Sequence, residues 1–131
     1  MPKENPADFK YTKEHEWVKI DSGFAVVGIT DFAQHQLTDI VFVELPKLGK
    51  EVLQGKNLTV VESVKSVSDV FAPVSGTVTE VNRELEGNPA LVNLDAFGKG
   101  WIVKLKPKDL NELNNLLTAE QYEQYVASVH H

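Results

Sequence analysis

Lys65 stands out because its amine lies where an acyl group could be attached to the chain. The stretch VVESVKSVSDVFAPVSG alternates with a period of two on both sides of this lysine, which indicates two β-strands. The alternation breaks at VKSV, so the sequence predicts a hairpin over about 58–71 with a tight turn at its tip. We expect Val64 and Val67 to pack beneath the turn and Lys65 to point outward. Acylation of an amine at such a rigid tip would remove its charge and attach a long group to a fixed point.

Two other interpretations of Lys65 are open at this stage. The strand pattern alone favours a solvated lysine, because charged turn tips keep hairpins soluble, and the chain would then be an unmodified interaction module. A small β-sandwich enzyme with an active amine is less well supported. Such an amine needs burial or a cationic neighbour to lower its pKa. Glu62 and Asp69 lie close by in sequence and favour the charged form instead.

The elements that must position this lysine are mostly short strands separated by Gly and Pro. The predicted strands are Glu16–Ile20 and Phe24–Ile29, which form a hairpin around DSG, then Asp39–Leu45, the two arms beside Lys65, Gly76–Asn82 and Gly100–Pro107. Gly55 and Gly76 lie at similar distances on either side of Lys65, and we expect each to end a hairpin arm in a turn that needs positive φ. The pattern is typical of a mainly β sandwich or barrel.

Helical signals are fewer and stand at two places. TDFAQHQL predicts two helical turns with Thr30 or Asp31 as the N-cap. DLNELNNLL predicts a short helix within a C-terminal helical segment over about 109–129. Thr118 and Gln121 then have the spacing of a capping box, and the residues of one helical face follow, namely Tyr122, Tyr125, Val126 and Val129. His130 and His131 resemble the start of an expression tag.

Composition limits the classes of function. The chain has 131 residues, of which 42% are hydrophobic, so we expect a single domain over 1–131. The formal net charge of −6 disfavours nucleic acid and anionic membrane as partners, and the sequence contains no apolar run of membrane-spanning length. It contains no cysteine, which excludes disulfides, thiol nucleophiles and cysteine metal sites. His15 and His35 have no ligand spacing, so we predict no metal site.

The residues around Lys65 carry a resemblance to a known family. VVESVKSVSDVFAPVSGTVTEVN resembles the lipoyl-attachment region of the glycine cleavage system H protein family. Biotin carriers place the lysine between two methionines and oxoacid dehydrogenase lipoyl domains have Asp-Lys-Ala, so ESVKSVSD differs from both. Other segments resemble successive parts of the family in order, namely KYTKEHEWV, VGITDFAQHQL, DIVFVELPKLG, LVNLDAFGKGW and the tail LNELNNLLTAEQYEQYV. The resemblance covers about 10–126 and favours a modified lysine.

The resemblance implies a carrier rather than an enzyme. Its fold would be the lipoyl/biotinyl-like hybrid β-sandwich with short helices and a C-terminal helix. Lipoate would be bound covalently to Lys65 as lipoyl-lysine. The arm would transfer the aminomethyl group of glycine from a pyridoxal-phosphate-dependent glycine decarboxylase to a tetrahydrofolate-dependent aminomethyltransferase. Dihydrolipoamide dehydrogenase would reoxidise the dithiol of the arm, and a lipoylating enzyme would attach lipoate to the lysine. The alternative is an H-like protein that mainly relays lipoate to other lipoyl-dependent enzymes.

The resemblance also assigns expected roles near the lysine and at a cleft. Glu62, Val64, Val67 and Asp69 are expected to help the lipoylating enzyme recognise the hairpin, although solubility alone would also account for the two charges.

His15 and Glu16, in KEHEW, are candidates for the cleft where the loaded arm rests, against the alternative of an ordinary strand surface. A carboxylate there would keep the amine of the cargo protonated, with Glu16 the first candidate and Asp69 the second.

Some positions depart from the usual family pattern. Thr38 stands where glycine is common, so we expect that turn to differ slightly. Ala96 and Phe97 replace a common Pro-Tyr, and Ser66 replaces a frequent alanine. These changes leave the attachment lysine in place, so we expect the function to be retained. The N-terminal stretch has neither an apolar signal segment nor a visible transit peptide, and we expect a monomer in the bacterial cytoplasm, or in the mitochondrial matrix if the source is eukaryotic.

Overall fold

The structure is a computed structural model that describes residues 4–129. Within these residues the strands are β1 (Lys10–Tyr11), β2 (Glu16–Asp21), β3 (Phe24–Ile29), β4 (Ile40–Val43), β5 (Glu51–Val52), β6 (Asn57–Ser63), β7 (Val67–Phe71), β8 (Gly76–Val81) and β9 (Val103–Pro107). The helices are α1 (Asp31–Leu37), α2 (Glu84–Gly87), α3 (Leu91–Leu94), a 3-10 helix (Leu110–Asn115) and α4 (Ala119–Val129). His130 and His131, interpreted from the sequence as a tag remnant, lie outside the described residues.

The strands form two antiparallel sheets. The larger sheet has the order β1-β2-β3-β9-β8-β5, and the smaller has the order β4-β6-β7. Apolar side chains from both sheets fill the core, among them Val18, Val27, Ile40, Leu58, Val61, Val70, Val103 and Leu105. The predicted mainly β sandwich with short helices and a C-terminal helix is confirmed.

The hairpin of β2 and β3 forms as predicted from DSG. Asp21 pairs with Phe24, and Ser22 and Gly23 occupy the turn with φ of 54° and 85°. Two positive φ values in a two-residue loop give the turn whose twist matches that of the flanking strands. The last strand is shorter than predicted because the N–H groups of Gly100 and Trp101 bind the turn carbonyls of Asp95 and Gly98. It therefore begins at Val103 rather than at Gly100.

The two glycines that flank the lysine hairpin have different reasons to be glycine. Gly55 has φ of +83°, as predicted. Gly76 is not among the residues of positive φ, so that prediction is wrong. A Cβ at Gly76 would lie 2.5 Å from the carbonyl oxygen of Lys106, on the neighbouring strand β9. Gly76 therefore permits a close approach of two strands rather than a left-handed turn.

The helix caps agree with the sequence patterns. The Thr30 hydroxyl accepts the Ala33 N–H at 3.2 Å, so Thr30 rather than Asp31 is the N-cap of α1. The Thr118 N–H donates to the Gln121 side chain at 3.0 Å and the Gln121 N–H donates to the Thr118 hydroxyl at 3.2 Å, which is the predicted capping box.

One face of α4 packs on the strands as predicted, except at its end. The ring of Tyr122 is buried and stacks on the ring of Tyr11, with centroids 5.0 Å apart. Tyr125 and Val126 are half-buried, whereas Val129, the last described residue of the helix, is exposed. No helix within residues 4–129 has the length and apolar character needed to cross a membrane.

Candidate functional site

The turn that carries Lys65 is closed by a serine. Glu62 pairs with Val67 at the end of the β6–β7 ladder, and the Ser63 N–H donates to the Ser66 carbonyl at 2.8 Å. The Ser63 hydroxyl accepts the N–H groups of Lys65 at 3.1 Å and Ser66 at 3.0 Å. One side chain thus satisfies two turn donors and fixes the backbone under the lysine. This role of Ser63 was not predicted from the sequence, although a serine two residues before a turn position is a known signal.

A second element supports the tip from the side. The Val64 N–H donates to the carbonyl of Asp39 at 3.0 Å, and the Lys65 Nζ lies 3.4 Å from the carbonyl oxygen of Gln36. Gln36 belongs to α1, and Asp39 precedes β4. The connection between α1 and β4 is therefore the platform on which the hairpin tip rests.

Asn93 holds this platform in place. Its Nδ2 donates to the Gln34 side chain at 2.8 Å and to the Thr38 carbonyl at 2.8 Å, and its Oδ1 accepts the Ile40 N–H at 2.9 Å. These bonds join α3 to both ends of the α1–β4 connection. Asn93 was not predicted from the sequence, because its partners lie more than fifty residues away along the chain.

Thr38 has an unusual backbone conformation within the platform. Its φ is +66° and its ψ is −148°, a region that glycine adopts without strain and β-branched residues rarely adopt. The platform turn keeps the shape that glycine favours, and the threonine accepts that shape at a cost in stability.

Val64 and Val67 do not pack beneath the turn. Their side chains are 67% and 65% exposed, so that prediction is wrong. The reason is strand parity: Val61 and its partner Ser68 share the face toward the core, and Val67 therefore faces outward beside Glu62. Alanine at either valine should change the free energy of unfolding little.

Glu16 is buried in the interior of the protein rather than lying on a strand surface. Its side chain lies at the start of β2, with the residue only 1% exposed. Its Oε2 accepts the Phe71 N–H at 3.0 Å, and its Oε1 accepts the Thr12 hydroxyl proton. Burial raises the pKa of Glu16 to about 7, although the hydrogen bonds from Thr12 and Phe71 act in the opposite direction.

Glu16 contributes to the wall of a cleft of about 540 Å³. The cleft is lined by Tyr11, Thr12, Lys13, Glu14, Glu16, Gln54, Gly55, Phe71, Ala72, Pro73, Asn115, Leu116 and Leu117. Its position at the end of β7 puts it on the same hairpin that carries Lys65. The lining combines apolar side chains with one deeply buried carboxyl group, which suits an elongated apolar ligand with a cationic end.

His15, the other predicted cleft residue, is not among the side chains that line this cleft. Its ring Nδ1 lies 2.8 Å from the Tyr122 hydroxyl, and its ring packs on Phe32 with centroids 4.9 Å apart. Burial raises the pKa of Tyr122 to about 12, so this hydroxyl stays protonated at neutral pH. His15 therefore belongs to the contact between α4 and the strands.

The remaining predicted residues lie on the outer face of the small sheet. Asp69 is exposed and accepts a hydrogen bond from the Asn57 side chain at 3.0 Å, and Glu62 is half-buried. Neither lines the cleft. Among residues 4–129, no three His, Asp or Glu side chains come close enough to hold a metal ion.

Comparison with known proteins accounts for this arrangement of lysine hairpin and cleft. The family model described as Glycine cleavage H-protein matches residues 9–129. The chain belongs to the glycine cleavage H-protein family.

Individual relatives agree. A glycine cleavage system H protein of Symbiobacterium thermophilum is 53% identical over 92% of this chain and 94% of its own length. One of Acinetobacter baumannii is 51% identical over 91% of this chain and 96% of its own. The crystal structure of a glycine cleavage system H protein from Mycobacterium marinum superimposes with a TM-score of 0.83 at 39% identity, covering 95% of this chain and 98% of that one.

Membership in the H-protein family confirms the function predicted from the sequence. The chain is a lipoyl shuttle protein of the glycine cleavage system. The predicted fold is likewise that of a solved H protein.

Proposed function

We propose that Lys65 carries the lipoyl group, as an amide on its Nζ. The observation that carries the proposal is the exposed lysine on a turn that Ser63 and the Asp39 carbonyl hold in place. When bound, lipoate supplies a dithiolane that takes up the aminomethyl group of glycine and passes it on. The chain itself contributes attachment, positioning and recognition, and catalysis belongs to the partner enzymes.

The cleft is the resting place for the arm. Phe71 is four residues beyond Val67 along β7, a distance of about 13 Å at roughly 3.3 Å per residue. The lysine stem and an eight-carbon acyl chain together can span that distance. Phe71, Pro73 and Leu117 offer apolar contacts to such a chain, and Glu16 lies at the same end.

Glu16 holds the amine of the cargo in its protonated form. A cation within about 4–6 Å favours the carboxylate and lowers its pKa, while the carboxylate raises the pKa of the amine by the same coupling. An ammonium group has no lone pair with which to expel the neighbouring sulfur, so its stabilisation slows the loss of the cargo. Asp69 is the second candidate, but its exposed position on the outer face makes it the weaker one.

The partners follow from membership in the system. They are the glycine decarboxylase, the aminomethyltransferase, dihydrolipoamide dehydrogenase and a lipoylating enzyme. The relatives described above come from bacteria, which supports the bacterial cytoplasm as the location. Relay of lipoate to other enzymes is an alternative use of the same lysine.

Intact mass measurement tests the attachment. The protein is incubated with lipoate, ATP and a purified lipoylating enzyme, and we expect a gain of one lipoyl group that peptide mapping places on Lys65. A lipoyl group on another lysine, or none, would reject the proposal.

A further inference from the structure

A connecting segment closes one side of the cleft. Residues 108–118 join β9 to α4, and we call them the strap. Asn115, Leu116 and Leu117 of the strap line the cleft. Leu117 is fixed to β1, because its N–H donates to the Tyr11 carbonyl at 2.8 Å and its carbonyl accepts the Tyr11 N–H at 2.9 Å. The C-terminal end of this wall is therefore anchored on the large sheet.

A carboxylate anchors the middle of the strap. The side chain of Glu112 accepts the Ser75 N–H at 2.7 Å and the Ser75 hydroxyl at 2.8 Å, and Ser75 is buried. Two hydrogen bonds to one carboxylate hold this contact more firmly than a neutral pair would. The Lys108 N–H adds a bond of 3.0 Å to the Ser75 carbonyl. Residues 113–116 are therefore a short segment between two fixed points, Glu112 and Leu117.

Gln54 ties this short segment to the other side of the cleft. Its Nε2 donates to the Pro73 carbonyl at 2.9 Å and to the Glu112 carbonyl at 3.0 Å, and its Oε1 accepts the Asn115 side-chain N–H at 3.0 Å. Gln54 is half-buried and itself lines the cleft, next to Gly55. One side chain therefore joins the chain before β6, the loop after β7 and the strap.

We propose that Gln54 is a positioning residue of the carrier: it holds the segment 113–116 against the cleft and so sets how long the loaded arm stays inside. The role rests on the proposed function, because it requires the loaded arm to occupy the cleft. Glu16 acts on the charge of the cargo at the same site, whereas Gln54 is uncharged and acts on the opening of the cleft.

The bond between Gln54 and Asn115 is the weakest of the contacts that hold the strap. Asn115 is exposed and both groups are neutral, so water competes for this hydrogen bond. The Glu112 carboxylate and the backbone bonds of Leu117 do not depend on it, so both anchors persist when it breaks. The segment between the anchors can then move while the fold stays intact, and one neutral contact controls the balance between a closed and an open cleft.

The time that the arm spends outside the cleft determines two measurable rates. Release of the cargo breaks its carbon–sulfur bond, and water converts the resulting iminium ion to formaldehyde and ammonium. The other sulfur of the loaded arm is a free thiol, and it is the only thiol in the protein because the chain contains no cysteine. Both reactions require access to the arm, so a shift towards the open cleft accelerates both by a similar factor.

Alkylation of this thiol by iodoacetamide, together with formaldehyde release, tests the role in the lipoylated and loaded carrier. Gln54→Met keeps the volume of the side chain and removes the hydrogen bonds described above. We expect both rates to rise by roughly two- to tenfold, the range that corresponds to loss of a neutral hydrogen bond. Asn115→Ala leaves the bonds of Gln54 to the two carbonyls intact and should raise both rates less. The matched control is Asn114→Ala, since Asn114 is exposed on the same 3-10 helix and does not line the cleft.

A second readout requires no cargo. In the unlipoylated protein, hydrogen exchange at the Leu116 N–H, which donates to the Leu113 carbonyl at 3.2 Å, should quicken in Gln54→Met. Exchange at the Leu117 N–H should stay the same, because its bond to Tyr11 does not involve Gln54. Urea unfolding verifies that each variant is folded.

An alkylation rate in Gln54→Met equal to that in Asn114→Ala would overturn the role of Gln54. So would faster formaldehyde release with unchanged alkylation, because Gln54 would then act on the cargo amine rather than on the cleft. Asn115→Ala, at an exposed position, gives the same test if Gln54→Met does not fold. Alkylation of the unaltered loaded carrier as fast as that of the urea-unfolded one would instead remove the resting place of the arm itself, which keeps the two proposals separate.

Discussion

The backbone N–H of Phe71 donates a hydrogen bond of 3.0 Å to the buried carboxyl group of Glu16. Glu16 belongs to the large sheet and Phe71 to the end of β7, so this bond joins the sheet of the N-terminal strands to the hairpin of Lys65. The same carboxyl group lines the cleft. A change at Glu16 should therefore be visible both in stability and in the chemistry of the loaded arm.

Glu16→Gln should make the unloaded protein more stable at pH 8 than the unaltered chain. The folded-state pKa of about 7 exceeds the ordinary carboxyl value of 4.5, so the folded state holds more protons between these two pH values. The stability associated with the protonated group is complete below about pH 4.5 and is lost as the pH rises through 7. Glutamine does not ionise, so above pH 7 the free energy of unfolding of the variant should exceed that of the unaltered chain by at most about 3 kcal/mol. Any weakening of the hydrogen bond with Thr12 reduces this gain. Urea unfolding at pH 5 and pH 8 measures the difference. An equal loss of stability at both pH values would show that the hydrogen bonds outweigh ionisation.

Glu16→Gln should also release the cargo of the loaded protein sooner. Without the carboxylate the pKa of the cargo amine falls, so the amine loses its proton more readily. At a pH below the pKa, each unit by which this pKa falls gives about tenfold more free amine. Formaldehyde release from the loaded carrier, followed without partner enzymes, should accelerate most above neutral pH, while lipoylation is unchanged. Asp69→Asn is the matched variant and should release at the ordinary rate. Identical rates in all three proteins would favour simple exclusion of water as the source of protection.

Lys65→Arg should keep the fold and abolish lipoylation. The side chain is exposed, so exchange of one cation for another costs little stability. A guanidinium group is not acylated as an amine is. Intact mass reports the modification, and Lys56→Arg, at an exposed lysine near the other end of β6, is the control. An arginine variant that still supports glycine cleavage would mean that another residue carries the arm.

Thr38→Gly should raise the free energy of unfolding by about 1 kcal/mol. Relief of the positive φ is worth about 1–3 kcal/mol, and the greater freedom of glycine in the unfolded chain offsets part of it. Thr79→Gly, at an exposed position of β8 whose φ is not positive, should have the opposite sign. Denaturant unfolding compares the two, and destabilisation by both glycines would mean that the Thr38 side chain compensates its backbone.

Asn93→Ala should loosen the platform under the tip. Its three hydrogen bonds are lost, at an expected cost of about 1–3 kcal/mol, and the Ile40 N–H loses its acceptor. Hydrogen exchange at Ile40 and Val64 should quicken and lipoylation should slow. Asn111→Ala is the control, because Asn111 is exposed in the 3-10 helix. Unchanged hydrogen exchange at Val64 would show that Asn93 does not support the hairpin tip.

The features that the sequence predicted well depend on neighbouring residues. The turn of Ser22 and Gly23 and the capping box of Thr118 and Gln121 are decided within four positions of the chain. The position of Lys65 at a turn follows equally from the alternation on each side. Local pattern and local chemistry agree at these sites, so tertiary packing does not override them.

The features that the sequence missed depend on distant partners. Gly76 is a glycine because of a carbonyl on β9, and the burial of Glu16 depends on a strand 55 residues away. Val67 faces outward because pairing with β6 sets its parity, which the pattern of one strand does not reveal. Asn93 gains its role from α1 and β4. Prediction of each of these features requires the register of the sheets, which periodicity alone does not determine.

The strand β7 also has a consequence for the solubility of the carrier. It is an edge strand of its sheet, and an unprotected edge can pair with the same edge of another copy of the chain. The Phe71 N–H already donates a hydrogen bond to the Glu16 carboxyl group, and Asp69 places a negative charge on the same strand. Both make addition of a further strand unfavourable. Edge-to-edge pairing would bring two lysine tips together and hide them from the enzymes that must reach them, so resistance to aggregation and availability of the arm depend on the same two carboxyl groups.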